Sequence, residues 1–285
     1  MRADRIAGMA KSSASAPVLR PFEGLPGEAD WVAMREVVPS ATATARTTAE
    51  HGGRDVVVTT VLPGGWCALH REDGTVLLAL HGMGSADDLS RDLAAALLAA
   101  LGAEPGTGVL PEELPAAQDG DPRLQDVLDL DVAFDVTVHD GYDYWVDAGT
   151  EMTAEIRESL DEAAESSIPT VKLASVPAAY WCRMSREFLR WARTEDEDAV
   201  VDAIARLHAR RESGLAGGKF LGMFRACGLV VPVWELPRGT EAAELEEPVA
   251  ELARKLDEAL AVTEPLDANE RRARAGIVSR QVTLR

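Results

Sequence analysis

The stretch WCALHREDGTVLLAL, residues 66–80, consists of two mainly apolar runs joined by charged residues and Asp73-Gly74. Asp-Gly between two extended runs favours a two-residue type I′ turn, which joins neighbouring antiparallel strands. The segment therefore predicts a β-hairpin and, with it, an antiparallel or mixed sheet. The register that this turn implies contains four residue pairs: Glu72 with Thr75, His70 with Leu77, Ala68 with Ala79 and Trp66 with His81.

A second Asp-Gly pair, Asp140-Gly141, lies within VTVHDGYDYWVD, residues 136–147, and predicts a second hairpin. Because side chains alternate along a strand, the two faces of this hairpin are expected to differ. The outer face would carry His139, Tyr142 and Tyr144, and the core face would carry Phe134, Val136, Val138 and Trp145.

Helical periodicity and capping residues alternate with extended runs along the rest of the chain. We predict six helices, over residues 28–37, 85–102 with Ser85 as the N-cap, 150–167, 177–193, 195–211 and 241–261. Further strands are predicted over residues 55–62, 170–176 and 228–236. The predicted fold class is α+β, in which an antiparallel or mixed sheet built from β-hairpins has amphipathic helices packed on it.

The chain of 285 residues exceeds the length of an average domain. We expect three regions: a flexible tail over residues 1–20, an α+β region over 21–266 and a basic tail over 267–285. The α+β region could be one domain or two lobes that meet near residues 167–170. Residues 74–101 and 228–260 share the order glycine, apolar strand, polar connection and amphipathic helix, which leaves a diverged duplication open.

The formal net charge of −19 is concentrated in the middle of the chain. Residues 111–168 contain 17 Asp and Glu residues but only two Arg, Arg123 and Arg157. A surface with this charge repels nucleic-acid phosphates and attracts basic proteins or cations. The alternative interpretation is a solvated face that only keeps the protein in solution.

Three widely spaced cysteines, Cys67, Cys182 and Cys227, form no Cys-x-x-Cys pair. The spacing gives no zinc motif or disulfide framework, and it fits a reducing cytoplasm. The N-terminal residues lack the apolar core of a secretory signal, and no apolar run is long enough to span a bilayer. We therefore expect a cytoplasmic protein without a membrane partner.

Glycine-rich and acidic stretches of the sequence do not match the motifs of cofactor or metal sites. Residues 213–220, SGLAGGKF, lack the glycine spacing and the final hydroxyl residue of a phosphate-binding loop. Residues 81–85, HGMGS, lack the third glycine of a dinucleotide fingerprint. His139 and Asp140 are too few ligands for a metal ion. We therefore predict no cofactor, no metal ion and no catalytic residue.

Histidine and aromatic side chains of the two predicted hairpins form the candidate binding surface. Its members are Trp66, His70, His81, His139, Tyr142 and Tyr144. Exposed Tyr and Trp side chains are common at protein interfaces. Cys67 and His70 would point to opposite faces of their strand, which disfavours a nucleophile pair and indicates that Cys67 is a small buried side chain.

Three blocks of sequence carry a family resemblance: RPFEGLPGEADWVAMREVVPSATATARTTAEHGGRDVVV, GGKFLGMFRACGLVVPVWELP and ERRARAGIVSRQVTLR. They resemble a family of uncharacterised actinobacterial proteins, a domain of unknown function that implies no activity, cofactor or catalytic residue. Similar sequences are sometimes named topoisomerase II or preprotein translocase SecA. The residues support neither name, because Tyr142, Tyr144 and Tyr180 lack a preceding Arg and the chain lacks a P-loop.

These observations favour a non-enzymatic interaction protein, whose acidic middle region and exposed aromatic hairpin dock a basic protein. The alternative is an unrecognised hydrolase or small-molecule-binding enzyme, with a site formed across the two hairpins by Trp66, His70, His81 and His139. That site requires the two hairpins to be neighbours in one sheet. Nucleic-acid binding through the arginines of residues 267–285 is the least favoured hypothesis, because the net charge opposes it.

Overall fold

Eleven strands in the described part of the chain form two sheets, one from each half of the sequence. The computed structural model describes residues 17–83, 87–147, 149–165 and 167–279. The first sheet contains β1 (Ala41–Arg46), β2 (Asp55–Thr59), β3 (Ala68–His70), β4 (Val76–Ala79), β5 (Thr107–Val109) and β6 (Val136–Val138). The second sheet contains β7 (Thr170–Lys172), β8 (Ala179–Arg183), β9 (Glu187–Trp191), β10 (Lys219–Ala226) and β11 (Leu229–Glu235).

The strand order is β5-β3-β4-β2-β1-β6 in the first sheet and β10-β11-β9-β8-β7 in the second. Paired strands are antiparallel, except that β2 and β4 run parallel. The helices are α1 (Glu28–Glu36), α2 (Leu89–Gly102), α3 (Leu124–Val127), α4 (Ala154–Ala164), α5 (Glu197–Ala209), α6 (Glu246–Leu260) and α7 (Ala268–Val278). The predicted α+β fold with antiparallel or mixed sheets is confirmed.

Local capping chemistry explains where the helices begin and end. Asp88 caps α2 by accepting a hydrogen bond from the Ser90 N–H, and the helix ends at Gly102 as predicted. Ser85, the predicted N-cap of this helix, lies outside the described residues. Thr153 caps α4 by accepting from the Ile156 N–H, so this helix begins later than predicted.

One hydrophobic cluster reaches both sheets, and α1 lies within it. Trp31, Val32 and Met34 of α1 are at most 1% exposed. The cluster includes residues from β2, β4 and α2 on one side and from β8 and β11 on the other. A second cluster packs the opposite face of the second sheet against α5, α6 and α7. The layers are therefore the first sheet, a helical layer with α1 and α2, the second sheet and an outer helical layer.

The predicted helix over residues 177–193 is wrong, because this segment forms the hairpin of β8 and β9. Tyr180 belongs to the cluster that contains α1, whereas Trp181 belongs to the cluster under α5 and α6. Both faces of these strands are buried, so apolar residues occur at many positions and also satisfy a helical spacing. Periodicity alone could not distinguish the two structures.

The first predicted hairpin is present, but its register differs by one residue from the prediction. The observed pairs are Ala68 with Leu78, Leu69 with Leu77 and His70 with Val76. The Arg71 N–H donates to the Thr75 carbonyl at 2.9 Å, so the loop has three residues. Gly74 adopts a φ of 85°, but Asp73 lacks the positive φ that a type I′ turn requires. The shift exchanges the two faces of β4 relative to the prediction.

The second predicted hairpin is wrong. β6 pairs with β1, and residues 143–145 form a single 3₁₀ turn where a strand is predicted. Gly141 lacks the positive φ of a type I′ turn. The His139 N–H donates to the Ser40 carbonyl at 3.0 Å, and Ser40 Oγ donates to the Gly141 carbonyl at 2.6 Å. These bonds lead the chain away from β6 and prevent it from folding back along that strand.

A helix occupies most of the segment predicted as a basic C-terminal tail. α7 packs against α5, with Ile277 only 5% exposed. Arg274 pairs with Asp202 at 2.6 Å and with Asp198 at 2.5 Å, both on α5. Residues 1–16 and 280–285 of the two predicted tails lie outside the described residues.

The chain passes from the first sheet to the second through α4, just before the predicted lobe boundary. The division into two lobes stays a prediction. In each half, two hairpins precede a long helix: β1-β2 and β3-β4 precede α2, and β8-β9 and β10-β11 precede α6. In the second half, α5 separates the two hairpins. However, β2 and β4 are parallel, whereas the corresponding β9 and β11 are antiparallel. The two halves therefore do not share one topology.

Candidate functional site

Part of the acidic region and part of the predicted aromatic surface meet at the outer face of the first sheet, opposite α1 and α2. This face carries a small apolar cluster formed by Leu62, Leu69, Leu77 and Ala79, with Trp66 and Trp145 packed against it. Residues 139–147, which we call the aromatic segment, run from the end of β6 over this cluster. The acidic helix α4 follows the segment in the chain.

Trp66 lies at the β5 side of this outer face. A Cβ atom at Gly108 of β5 would lie 2.3 Å from the Trp66 ring, so only glycine allows the indole to pack on the strand. The side chain is half-buried. Trp66 therefore contributes to packing and offers only part of its ring to a partner.

Arg71 attaches the aromatic segment to the hairpin of β3 and β4. Its Nη1 donates to the carbonyl of Tyr144 at 3.2 Å and to that of Val146 at 3.3 Å. The guanidinium also pairs with Asp147 at 3.0 Å and with Asp73 at 2.5 Å. Burial raises the pKa of Asp73, but hydrogen bonds, chiefly from Arg71, outweigh this effect and lower the pKa to about 2. Arg71 is thus neutralised within the protein.

The tyrosines of the aromatic segment do not project from a hairpin tip. Tyr142 is 8% exposed, and its ring stacks on Trp145 with 4.4 Å between centroids. Burial raises the pKa of Tyr142. Tyr144 is half-buried, with its Oη 3.4 Å from Thr60 Oγ1. The prediction of an exposed aromatic hairpin is wrong, because these rings cover the sheet.

His139 and His81 lie at the same end of the first sheet but turn to different surroundings. His139 Nε2 lies 2.8 Å from Thr42 Oγ1, and its ring is 5.1 Å from the Tyr144 ring. His81 Nε2 lies 3.3 Å from the Met34 carbonyl in α1. Burial lowers the pKa of both histidines, so both are neutral at pH 7.

His70 is buried on the inner side of the sheet. It is 6% exposed, and its Nδ1 lies 2.8 Å from the Ala103 carbonyl at the end of α2. The structure therefore brings Trp66, Tyr142, Tyr144 and His139 to the outer face, while His70 and His81 contact the helical layer. The four side chains of the alternative enzymatic site do not converge on one point. Cys67 is fully buried, as predicted.

The acidic residues of the middle region are almost all at the surface. Of the 17 Asp and Glu side chains between residues 111 and 168, fifteen are exposed; the others, Asp129 and Asp147, are half-buried. Asp140 and Asp143 lie within the aromatic segment itself, next to His139 and Tyr142. Negative charge thus lies beside the aromatic segment, while Asp119 and Asp121 lie next to Arg91 of α2 in the helical layer.

Helix α4 carries the densest part of this charge. Five carboxylates on or just after the helix have no basic partner within ion-pairing distance among the described residues: Glu155, Glu158, Asp161, Glu162 and Glu165. Its one basic residue, Arg157, pairs instead with Asp143 of the aromatic segment at 2.8 Å. Only Leu160 is buried. The helix therefore presents an uncompensated row of negative charge to the solvent.

Like charges three or four residues apart destabilise a helix by about 0.2–0.5 kcal/mol per pair. Glu158 and Glu162 have this spacing, as do Asp161 and Glu165. A cationic partner would remove this repulsion, which gives α4 a physical reason to bind positive charge.

The described residues contain no group of three His, Cys, Asp or Glu side chains arranged to hold a metal ion. Every helix within the described ranges is too short or too polar to cross a bilayer.

The fold and the surface together define an α+β protein with two sheets and a concentrated acidic outer surface. The chain belongs to the family of unknown function DUF5926, whose sequence profile matches residues 21–285. The resemblance to a domain of unknown function is thereby confirmed. No curated protein and no solved structure matches the chain.

Proposed function

We propose that the protein is a cytoplasmic, non-enzymatic interaction protein that binds a basic protein through α4 and the neighbouring acidic surface. The observation that supports this function is the set of five carboxylates on α4 without a basic partner in the described residues. Elsewhere on the surface, acidic residues are more often paired. For example, Glu251 and Glu258 of α6 both contact Arg254.

The aromatic segment has a positioning role in this proposal. Arg71 and the stacking of Tyr142 on Trp145 fix the segment on the sheet. Asp143 of the segment in turn pairs with Arg157 of α4. One exposed ion pair therefore joins the acidic helix to the segment that is fixed on the sheet.

Salt dependence and a matched pair of variants test this function. The variant Glu158→Gln/Glu162→Gln/Glu165→Gln removes three charges from α4, and Glu247→Gln/Glu251→Gln/Glu258→Gln removes three from exposed positions of α6. We expect the wild type and the α6 variant to retain one basic protein in a pull-down at low salt. The α4 variant should lose it, and about 0.5 M salt should release it from the wild type because charge pairs are screened.

Equal retention by the two variants would contradict the assignment of the site to α4, and retention that does not change with salt would contradict the electrostatic mechanism. The alternative, an enzyme with a site formed by Trp66, His70, His81 and His139, has no support in the geometry. His70 and His81 contact backbone carbonyls of the helical layer, whereas Trp66 packs against the apolar cluster of the outer face.

A further inference from the structure

A pocket of about 370 Å³ lies between α7, the C-terminal end of α5 and the first residues of β10. It is remote in sequence from the acidic region and belongs to the outer helical layer. One face of α7 forms a wall with Asn269, Arg272, Gly276 and Ile277, which follow helical spacing. His208 of α5 and Phe220 of β10 line the opposite side. Pockets of this size accommodate small organic ligands.

The pocket has an apolar floor and a polar rim. Phe220 is 8% exposed and Ile277 is 5% exposed, so both lie at the bottom. His208, Asn269 and Arg272 are exposed at the rim. Within the described part of the chain, no Asp or Glu lines the pocket, although the sequence has 48 acidic residues against 29 basic ones. The pocket is therefore chemically unlike the rest of the surface.

Two acidic residues of the neighbouring helices are paired with arginines, whereas Arg272 has no such partner among the described residues. Glu270 pairs with Arg206 at 3.2 Å, and Asp202 pairs with Arg274 at 2.6 Å. Arg272 contacts Asn269 Oδ1 at 3.4 Å and has no carboxylate partner among the described residues. Its charge is thus available to a ligand at the pocket rim.

The C-terminal end of α5 also borders the rim, with His208 and two exposed arginines. His208 Nδ1 lies 2.9 Å from Ser213 Oγ, and this contact holds the imidazole ring at the rim. The last carbonyls of α5 accept hydrogen bonds from the N–H groups of Arg210, Arg211 and Glu212. The negative end of the helix dipole lies here, and the exposed positive charges of Arg210 and Arg211 oppose it.

We propose that this pocket binds a small organic anion that combines an acidic group with an apolar or aromatic body. Arg272, with Asn269 and His208 Nε2, would hold the acidic group, and the body would lie on Phe220 and Ile277. Charge-assisted hydrogen bonds from an arginine are the strong contacts in such sites. This binding site is independent of the acidic surface on α4.

Isothermal titration calorimetry of the full chain with phenyl phosphate tests the site. We expect binding by the wild type, a roughly tenfold or larger loss in Arg272→Gln, and tighter binding of phenyl phosphate than of phenol or inorganic phosphate. Arg238→Gln is the matched control, because Arg238 is exposed and does not line the pocket. This variant should bind phenyl phosphate like the wild type.

Gly276→Leu separates loss of the pocket from loss of the fold. An added Cβ at Gly276 meets no atom within 4 Å, and leucine favours a helix over glycine, so the variant should fold and fill the pocket. We expect an undiminished melting temperature and no binding of phenyl phosphate. Binding that survives Gly276→Leu, equal binding by Arg272→Gln, equal binding of phenol or inorganic phosphate, or no binding by the wild type at millimolar probe would overturn the proposal.

Discussion

Asp30 is the buried carboxylate that connects α1 to the second sheet. Tyr180 Oη donates to one oxygen at 2.5 Å, and Lys172 Nζ donates to the other at 2.9 Å. Burial, followed by the nearby carboxylate, raises the pKa of Tyr180 well above its usual value, so the phenol stays protonated and donates. These three residues link elements more than 140 positions apart in the chain.

Tyr180→Phe should therefore destabilise the protein by about 1–3 kcal/mol, because a buried carboxylate loses its closest donor. Urea unfolding followed by circular dichroism measures the change. Tyr144→Phe is the control, since the Tyr144 hydroxyl makes only a 3.4 Å contact with Thr60 at a half-buried position. Equal losses of unfolding free energy in the two variants would contradict the stabilising role of the hydrogen bond between Tyr180 and Asp30.

Single residues could be interpreted from sequence only where their environment is local. The burial of Cys67 was predictable from its place between apolar strand residues. The role of Arg71 was not, because its partners Tyr144 and Asp147 lie more than 70 residues away. The contacts of Asp30 were not predictable either, because only the packing of α1 between the sheets brings its hydrogen-bond donors close.

At the scale of elements, the segment that was expected to be a basic tail forms α7, which belongs to the outer helical layer. Ile277→Ala should cost about 2–5 kcal/mol of unfolding free energy, because it removes a buried side chain between α7 and its neighbours. Val278→Ala, one position later and 44% exposed, should change stability by less than about 0.5 kcal/mol. Thermal and urea unfolding of both variants measure this difference in stability. An Ile277→Ala variant as stable as the wild type would mean that α7 behaves as a tail.

The elements that sequence patterns predicted well include amphipathic helices with a single buried face, such as α2 and α6. The patterns failed where both faces are buried. Tyr180 and Trp181 of β8 face different clusters, so their strand has no polar side to reveal a period of two. Asp140-Gly141 resembles a hairpin turn, but the contact of Ser40 with Gly141 determines a different path.

For the whole molecule, the cluster around α1 should make the two sheets mutually dependent. It includes residues of both sheets, and Trp31 at its centre is 1% exposed. We expect residues 21–168 and 169–285, expressed separately, to lack fixed tertiary structure, and the full chain to unfold in one transition. Near-ultraviolet circular dichroism checks this, and two independently folded halves would establish separate lobes.

The surface charge was the molecular property most directly available from sequence. The excess of acidic residues between positions 111 and 168 could be counted without knowledge of the fold, and fifteen of these side chains are exposed. The candidate aromatic surface could not be predicted from composition, because its geometry depended on a hairpin that does not form. Histidines predicted together are consequently divided between the outer face and the helical layer.

Hydrogen–deuterium exchange of the free protein and of its complex with the salt-eluted basic protein tests the role of α4 most directly. Free α4 should exchange rapidly, because only Leu160 is buried and neighbouring carboxylates repel each other. Binding should slow exchange over residues 154–164 more than in any other helix, and 0.5 M salt should reverse the effect. Protection confined to α5–α7, or no change in α4, would contradict the proposed docking surface.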